Sequence, residues 1–228
     1  MKIEVAIGDV HGRFDKLEEL FDLLNAKYAT NPKMVVMLGD YVDRGPQSAQ
    51  VVELLRDCEQ GSHFHCLKGN HEDLMIQAVL EKYNEDLWMM NGGAHTVKSY
   101  VDMYPDNYQD NLIDDATWMK SLPTMVQSEH RIYVHAGLNP RRRSLEEQRD
   151  EEVMWIRDPW LMSDYDWGKH VVHGHTHTWG RKKIGEVEQL PTRTNLDTGA
   201  FYTGVLSAAI FDASIPGGPI EIIQTQGN

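Results

Sequence analysis

The stretch Met34-Val35-Val36-Met37-Leu38 followed by Gly39-Asp40-Tyr41-Val42-Asp43-Arg44-Gly45 decides the fold. Five apolar residues in an unbroken row make a strand buried on both faces, and the polar cluster begins where that strand ends. The same construction recurs. Ile3-Glu4-Val5-Ala6-Ile7 leads into Gly8-Asp9-Val10-His11-Gly12, and Phe64-His65-Cys66-Leu67 precedes Gly69-Asn70-His71-Glu72. Ile132-Tyr133-Val134 precedes His135-Ala136-Gly137, and Val171-Val172 precedes His173-Gly174-His175. Open α/β sheets present their reactive groups from loops at the carboxyl ends of strands, so five such endings argue for one shared site.

Between these runs the apolar spacing is helical. Phe14, Leu17, Leu20, Phe21 and Leu24 predict an amphipathic helix from Arg13 to about Ala26. Pro46 opens a second helix with Val51, Val52, Leu54 and Leu55 inward, and Leu74, Ile76, Val79 and Leu80 mark a third from His71 to about Tyr83. Strand, loop and helix in alternation imply parallel strands with right-handed crossovers. From 84 to 123 the alternation stops, and turn signals with an acidic 106–115 stretch predict an insertion or cap over the strand ends. Leu196–Ala200, Val205–Phe211 and Glu221–Ile223 read as strands of a second sheet. A length of 228 residues suits one large α/β domain spanning 1–228.

Composition narrows the function. A net charge of −13 argues against a nucleic-acid backbone as partner and favours a site that gathers divalent cations. Cys58 and Cys66, the only cysteines, are too few for a disulfide framework. No apolar run approaches membrane-spanning length, and Met1-Lys2-Ile3-Glu4 runs straight into a strand, so a cytoplasmic location without membrane contact is expected. The charge run from Arg141 to Glu152 reads as a solvated face.

Asp9, His11, Asp40, Asn70, His135 and His175 together offer hard oxygens mixed with imidazoles, a set suited to Mn²⁺, Fe²⁺ or Zn²⁺, with Mn²⁺ the first choice. A lone histidine is usually an ordinary core or surface residue; four of them at strand ends beside glycine are not. Six donors exceed what one catalytic ion needs. Two ions bridged by Asp40 about 3.5–4 Å apart fit better, and their chemistry is hydrolysis of a phosphoester by an activated water. Arg44 and Arg157 supply forked donors for phosphoryl oxygens, and His71, paired with Asp43, is the candidate general acid.

These motifs resemble the phosphoprotein phosphatase (PPP) branch of the calcineurin-like metallophosphoesterases, in the family's order and with the compact length of bacterial and phage-type members. The resemblance implies a four-layer αββα sandwich. It places Asp9, His11 and Asp40 on one ion and Asp40, Asn70, His135 and His175 on the other. Arg44, His71 and Arg157 become phosphate and catalytic positions, Asp43 the residue orienting His71, and Trp88–Gly93 a border of the substrate cleft. Proline usually follows Gly-His-Thr in this family; here it is His177, a further candidate ligand of the first ion or its water, or else a merely exposed side chain. The implied activity is a serine/threonine protein phosphatase acting on a phosphoprotein or small phosphoester. A symmetrical diadenosine tetraphosphate hydrolase shares the scaffold, and a non-catalytic binding module of the same fold is the alternative from another class.

Overall fold

The computed structural model describes residues 1–31, 33–177 and 185–228. Two five-stranded sheets lie face to face. The first has the order β10-β9-β1-β2-β3, with β1 Ile3–Ile7, β2 Lys33–Met37, β3 Phe64–Cys66, β9 Ser207–Asp212 and β10 Glu221–Gln224. The second has the order β4-β5-β6-β8-β7, with β4 Met125–Gln127, β5 Arg131–Val134, β6 His170–His173, β7 Glu188–Gln189 and β8 Arg193–Asn195. β1 pairs in parallel with β2, and β2 with β3, as the alternation requires.

Strand alternation assigns each face. Ala6, Val36, Ala209 and Phe211 of the first sheet meet Tyr133 and Val172 of the second in the interior of the sandwich. Ile3, Val5 and Ile7 point the other way, onto α1 (Phe14–Tyr28), α2 (Ser48–Glu59) and α3 (Asn70–Val79). Ile132, Val134 and Val171 turn outward onto Val153 of α7 (Asp150–Trp155) and the buried Trp160. The result is the four-layer α/β sandwich, αββα, implied by the sequence resemblance.

The C-terminal strands depart from expectation. β7 and β8 lie in the second sheet, but β9 runs antiparallel to β1 in the first, and β10 pairs with β9. The strand expected at Leu196–Ala200 does not form, because β8 ends at Asn195 and a turn follows. Asp197 Oδ1 accepts the Gly199 N–H at 3.0 Å, closing a turn whose Gly199 (φ +68) opens the short helix α8 (Ala200–Thr203) and carries the chain from one sheet to the other.

Residues 84–123 form α4 (Glu85–Trp88), a π-helical turn at Met89–Gly93, α5 (Ala94–Met103) and α6 (Tyr108–Ser121). Trp88, Tyr100, Leu112, Ala116 and Met119 are buried in the same apolar cluster as α2 and α3. Among the described residues no helix is long and apolar enough to cross a membrane.

At the ends of the strands remote from the loop clusters, a buried pair ties the sheets together. Arg131 of β5 donates to Glu4 Oε2 of β1 at 3.1 Å, Tyr133 donates to the same oxygen at 2.8 Å, and the Arg131 guanidinium lies 4.8 Å from the Phe211 ring centre. His170 packs nearby, its Nε2 2.9 Å from Thr194 Oγ1. Burial holds its imidazole down at about 4, below the ordinary 6.5, with Arg131 adding to the effect. The native state therefore stays neutral there while the unfolded chain takes up a proton, so stability falls as pH drops from about 6.5 toward 4. After allowance for solvent screening, His170 should account for about 2 kcal/mol of that loss. Urea unfolding of wild type and His170→Gln at pH 7 and pH 4.5 checks this: the variant should lose less stability between the two.

Candidate active site

The site is assembled from the loops that follow β1, β2, β3, β5 and β6, as the five strand endings predict. The backbone is bent into it. Of the seven non-glycine residues with positive φ among the described residues, five belong here: His11 (+46), Asp40 (+55), Asp43 (+71), Arg44 (+68) and His175 (+66). Such conformations are costly for residues with a side chain and collect where function over-determines the geometry.

Two groups of ligand atoms converge on the Asp40 carboxylate: His11 with His71, and His135 with His175. Asp40 Oδ2 lies 3.4 Å from His11 Nε2 and 4.0 Å from His71 Nε2, while Oδ1 lies 3.3 Å from His135 Nε2. Asn70 Oδ1 stands between the other two imidazoles, 2.9 Å from His135 Nε2 and 2.7 Å from His175 Nδ1. Asp9 joins through Oδ2, which accepts the His175 N–H at 2.9 Å; its Oδ1 is buried with no hydrogen-bond partner among the described residues. A methyl group on Gly174 would overlap that oxygen, so the glycine keeps space for it.

This donor set fits divalent cations. His11 and His135 give their Nδ1 protons to the carbonyls of Val42 and Leu38, each at 2.8 Å, which leaves the Nε2 lone pairs aimed inward. In that tautomer His135 Nε2, Asn70 Oδ1 and Asp40 Oδ1 are acceptors facing acceptors, a crowding that a bound cation relieves. Burial depresses the imidazoles of His11 and His135 and brings His175 to about 2, so all three are neutral, ligand-ready bases at physiological pH. Burial also raises the Asp9 carboxyl, and the Asp197 and Asp40 charges push it the same way. Three acids this close in a dry place call for positive charge.

Beside the cage, His71 Nδ1 lies 2.7 Å from Asp43 Oδ2. Burial opposes protonation of His71, but Asp40 and Asp43 outweigh it and raise its pKa above the ordinary value, with Arg44 pulling down. The Arg44 guanidinium reaches His11 Nε2 at 2.7 Å and His71 Nε2 at 2.9 Å, so it stands at the mouth of the cage. Its charge also lies 5.0 Å from the Phe201 ring centre. Arg44, Met90, Gly92, His95 and Phe201 line an adjoining cavity of about 400 Å³. Arg157 is exposed on the loop after α7, and its charge is among those depressing His175. His177 is half-buried with its ring edge-on to Tyr202 at 5.9 Å, and neither ligand group includes it.

Several residues around the site escape sequence reasoning. Glu72 is buried and accepts the backbone N–H groups of Asp40, Tyr41 and Gly69 at 2.7–2.9 Å, clamping the β2 loop against the start of α3. Its signal was its place three residues after Gly69 at a helix start, where a glutamate reaches back to a free N–H. Thr96, Asp197 and Phe201 reach the site through long-range folding alone, as does the contact of the Trp88 indole with Asp43, although the resemblance already sets Trp88–Gly93 at the border of the cleft.

The chain matches the model of the calcineurin-like phosphoesterase family over residues 5–189. It is 24% identical over 207 residues to serine/threonine-protein phosphatase 2 of Salmonella typhimurium, covering 88% of this chain and 89% of that protein. It is also 24% identical over 240 residues to the asymmetrical bis(5'-nucleosyl)-tetraphosphatase PrpE of Oceanobacillus iheyensis, covering 92% and 89%. Among solved structures, a candidate diadenosine tetraphosphatase superposes with a TM-score of 0.71 at 24% identity, over 100% of this chain and 94% of that one. The family match runs from the first strand to beyond the last histidine of the cage, well over half of the sequence, and the chain therefore belongs to the calcineurin-like phosphoesterase family, whose members use divalent metal ions.

Proposed function

We propose that the protein is a metal-dependent phosphomonoesterase, most plainly a serine/threonine protein phosphatase, with Asp9, His11, Asp40, Asn70, His135 and His175 as metal ligands and His71 as general acid. The observation that carries this reading is the buried Asp43–His71 pair, held at 2.7 Å beside the acceptor cage. A phosphoserine or phosphothreonine ester expels a strongly basic alkoxide, which needs a proton as it leaves. A dinucleoside polyphosphate expels a weakly basic phosphate, for which a positioned acid contributes much less.

When bound, divalent ions supply an acidified water and neutralise phosphoryl charge. The chain's own residues do the rest. Asp43 accepts the His71 Nδ1 proton and so directs Nε2 toward the leaving oxygen. Arg44 turns from the imidazoles onto the phosphoryl oxygens, where its fork can bind two of them, and this frees His71 Nε2 to carry the transferable proton. Arg157, exposed on the loop after α7 with its charge felt at His175, is the second candidate to pair with the same group. Hydrolysis of a dinucleoside tetraphosphate is the second reading, supported by the relative from Oceanobacillus iheyensis named for that substrate class. A binding module without chemistry is disfavoured because the full ligand set is retained.

Protein stripped with EDTA should be inactive, and Mn²⁺, Zn²⁺ or Fe²⁺ should restore activity. The loaded enzyme should turn over a phosphoserine peptide and p-nitrophenyl phosphate ahead of diadenosine tetraphosphate. A preference for the dinucleotide by orders of magnitude in kcat/KM overturns the protein-phosphatase reading.

A further inference from the structure

Asp43 is fully buried, and its two carboxylate oxygens have divided tasks. Oδ2 faces His71 Nδ1. Oδ1 accepts two bonds, from the Trp88 indole Nε1–H at 3.0 Å and from the Thr96 hydroxyl at 2.6 Å. Thr96 Oγ1 also accepts the backbone N–H of Asp43 at 2.8 Å. A hydroxyl has a single proton, and Thr96 gives it to Asp43, so the 3.2 Å contact with Ser48 Oγ uses the serine's proton. Thr96 thus grips Asp43 by side chain and backbone at once, at a residue whose φ of +71 would otherwise relax.

Both gripping residues come from the 84–123 stretch. Trp88 ends α4 and Thr96 lies in the first turn of α5, with the π-helical turn and its break at Gly92 (φ +112) between them. That break lets two helices close around a single carboxylate, and π-helical turns are frequent at functional sites. A side chain on Gly93 would collide with the Trp88 ring, so the glycine lets the indole lie where its N–H reaches Asp43.

We infer that Trp88 and Thr96 are positioning residues for the acid step: with Oδ1 occupied by their two donors and the backbone held, Asp43 has one orientation, and His71 is kept with Nδ1–H toward Asp43 and Nε2 toward the cleft. This inference rests on the proposed role of His71. Outer partners of this kind, when removed, typically cost about 10–100-fold in activity.

The test uses the full chain, Mn²⁺-loaded, with Thr96→Val, Thr96→Ser and Trp88→Phe. Val keeps the shape of threonine and removes the hydroxyl that donates to Oδ1 and accepts the Asp43 N–H; Phe keeps an aromatic ring, smaller than the indole, and removes its N–H; Ser keeps the hydroxyl. For a phosphoserine peptide, kcat should fall about tenfold in Thr96→Val and Trp88→Phe while KM holds, and Thr96→Ser should recover most of it. p-Nitrophenyl phosphate, whose leaving group needs little protonation, should be affected far less. In a His71→Asn background, Thr96→Val should cost nothing further. Equal losses on both substrates, or a full extra loss in the His71→Asn background, would sink the inference. If Thr96→Val does not fold, Trp88→Phe carries the same comparison. Failure of the wild-type protein to hydrolyse either ester would instead refute the proposed function, and is read before any variant.

Discussion

His71→Asn should lower kcat for a phosphoserine peptide by about 10²–10⁴-fold, the usual worth of a positioned general acid, and should lower turnover of p-nitrophenyl phosphate much less. The asymmetry is the informative part. Asparagine approximates the imidazole in size and can still donate toward Asp43 Oδ2, so the cage of Asp40, Asn70, His135 and His175 keeps its neighbours. What disappears is a proton deliverable at Nε2, which an alkoxide requires and a nitrophenolate does not. Steady-state kinetics on the two substrates, with metal content measured in parallel, decides the matter. Equal losses on both would move His71 from acid to phosphate binding or structure.

Glu72→Ala should be the most damaging single change to stability. The carboxylate is buried and holds three backbone N–H groups at 2.7–2.9 Å, with Val42 N–H a fourth at 3.4 Å. Leaving a buried donor unsatisfied costs about 1–3 kcal/mol, so the three close donors imply a total of about 3–9 kcal/mol, against a net stability of about 5–15 kcal/mol for a domain. The loop it clamps contains Gly39 (φ +101) and Asp40 (φ +55), conformations with no local reason to persist. Metal affinity should therefore fall along with stability. Glu72→Gln, which keeps one acceptor oxygen, should lose about half as much. Urea denaturation of the three proteins measures both; an alanine variant within 1 kcal/mol of wild type would show that the loop is held by something else.

The cage was legible in the sequence because every donor follows an apolar run, Asp9 and His11 sharing the first, and a strand end fixes where the next few residues must go. The helices of the first half were legible for a similar reason, since their spacing depends only on near neighbours. Sheet membership of β9 was not. Ala208 and Ile210 face one side and Ala209 and Phe211 the other, so the strand is apolar on both faces and fits either sheet. Thr96 was equally opaque, and for Trp88 the resemblance gave a place at the cleft border but not the contact with Asp43, because the partner of its N–H lies 45 residues away. One signal was available and unread: Glu4 and Arg131 each place a charge inside an apolar strand, and buried charges of opposite sign in separate strands should be sought as a pair.

That pair has a mechanical consequence. Glu4, Arg131 and Tyr133 join the two sheets at the end far from the ligands, and Ala6, Val36, Val172 and Phe211 pack between them, so parting the sheets would uncover that interior and unpair a buried charge. The loops that carry Asp9 and Asp40 and those that carry His135 and His175 then stand on one packed framework. Selectivity is then expected from the side chains around the adjoining cavity: exchanging Met90 or His95 should shift the preference among esters, whereas Phe201, packed against Arg44 and His11, should disturb hydrolysis as well.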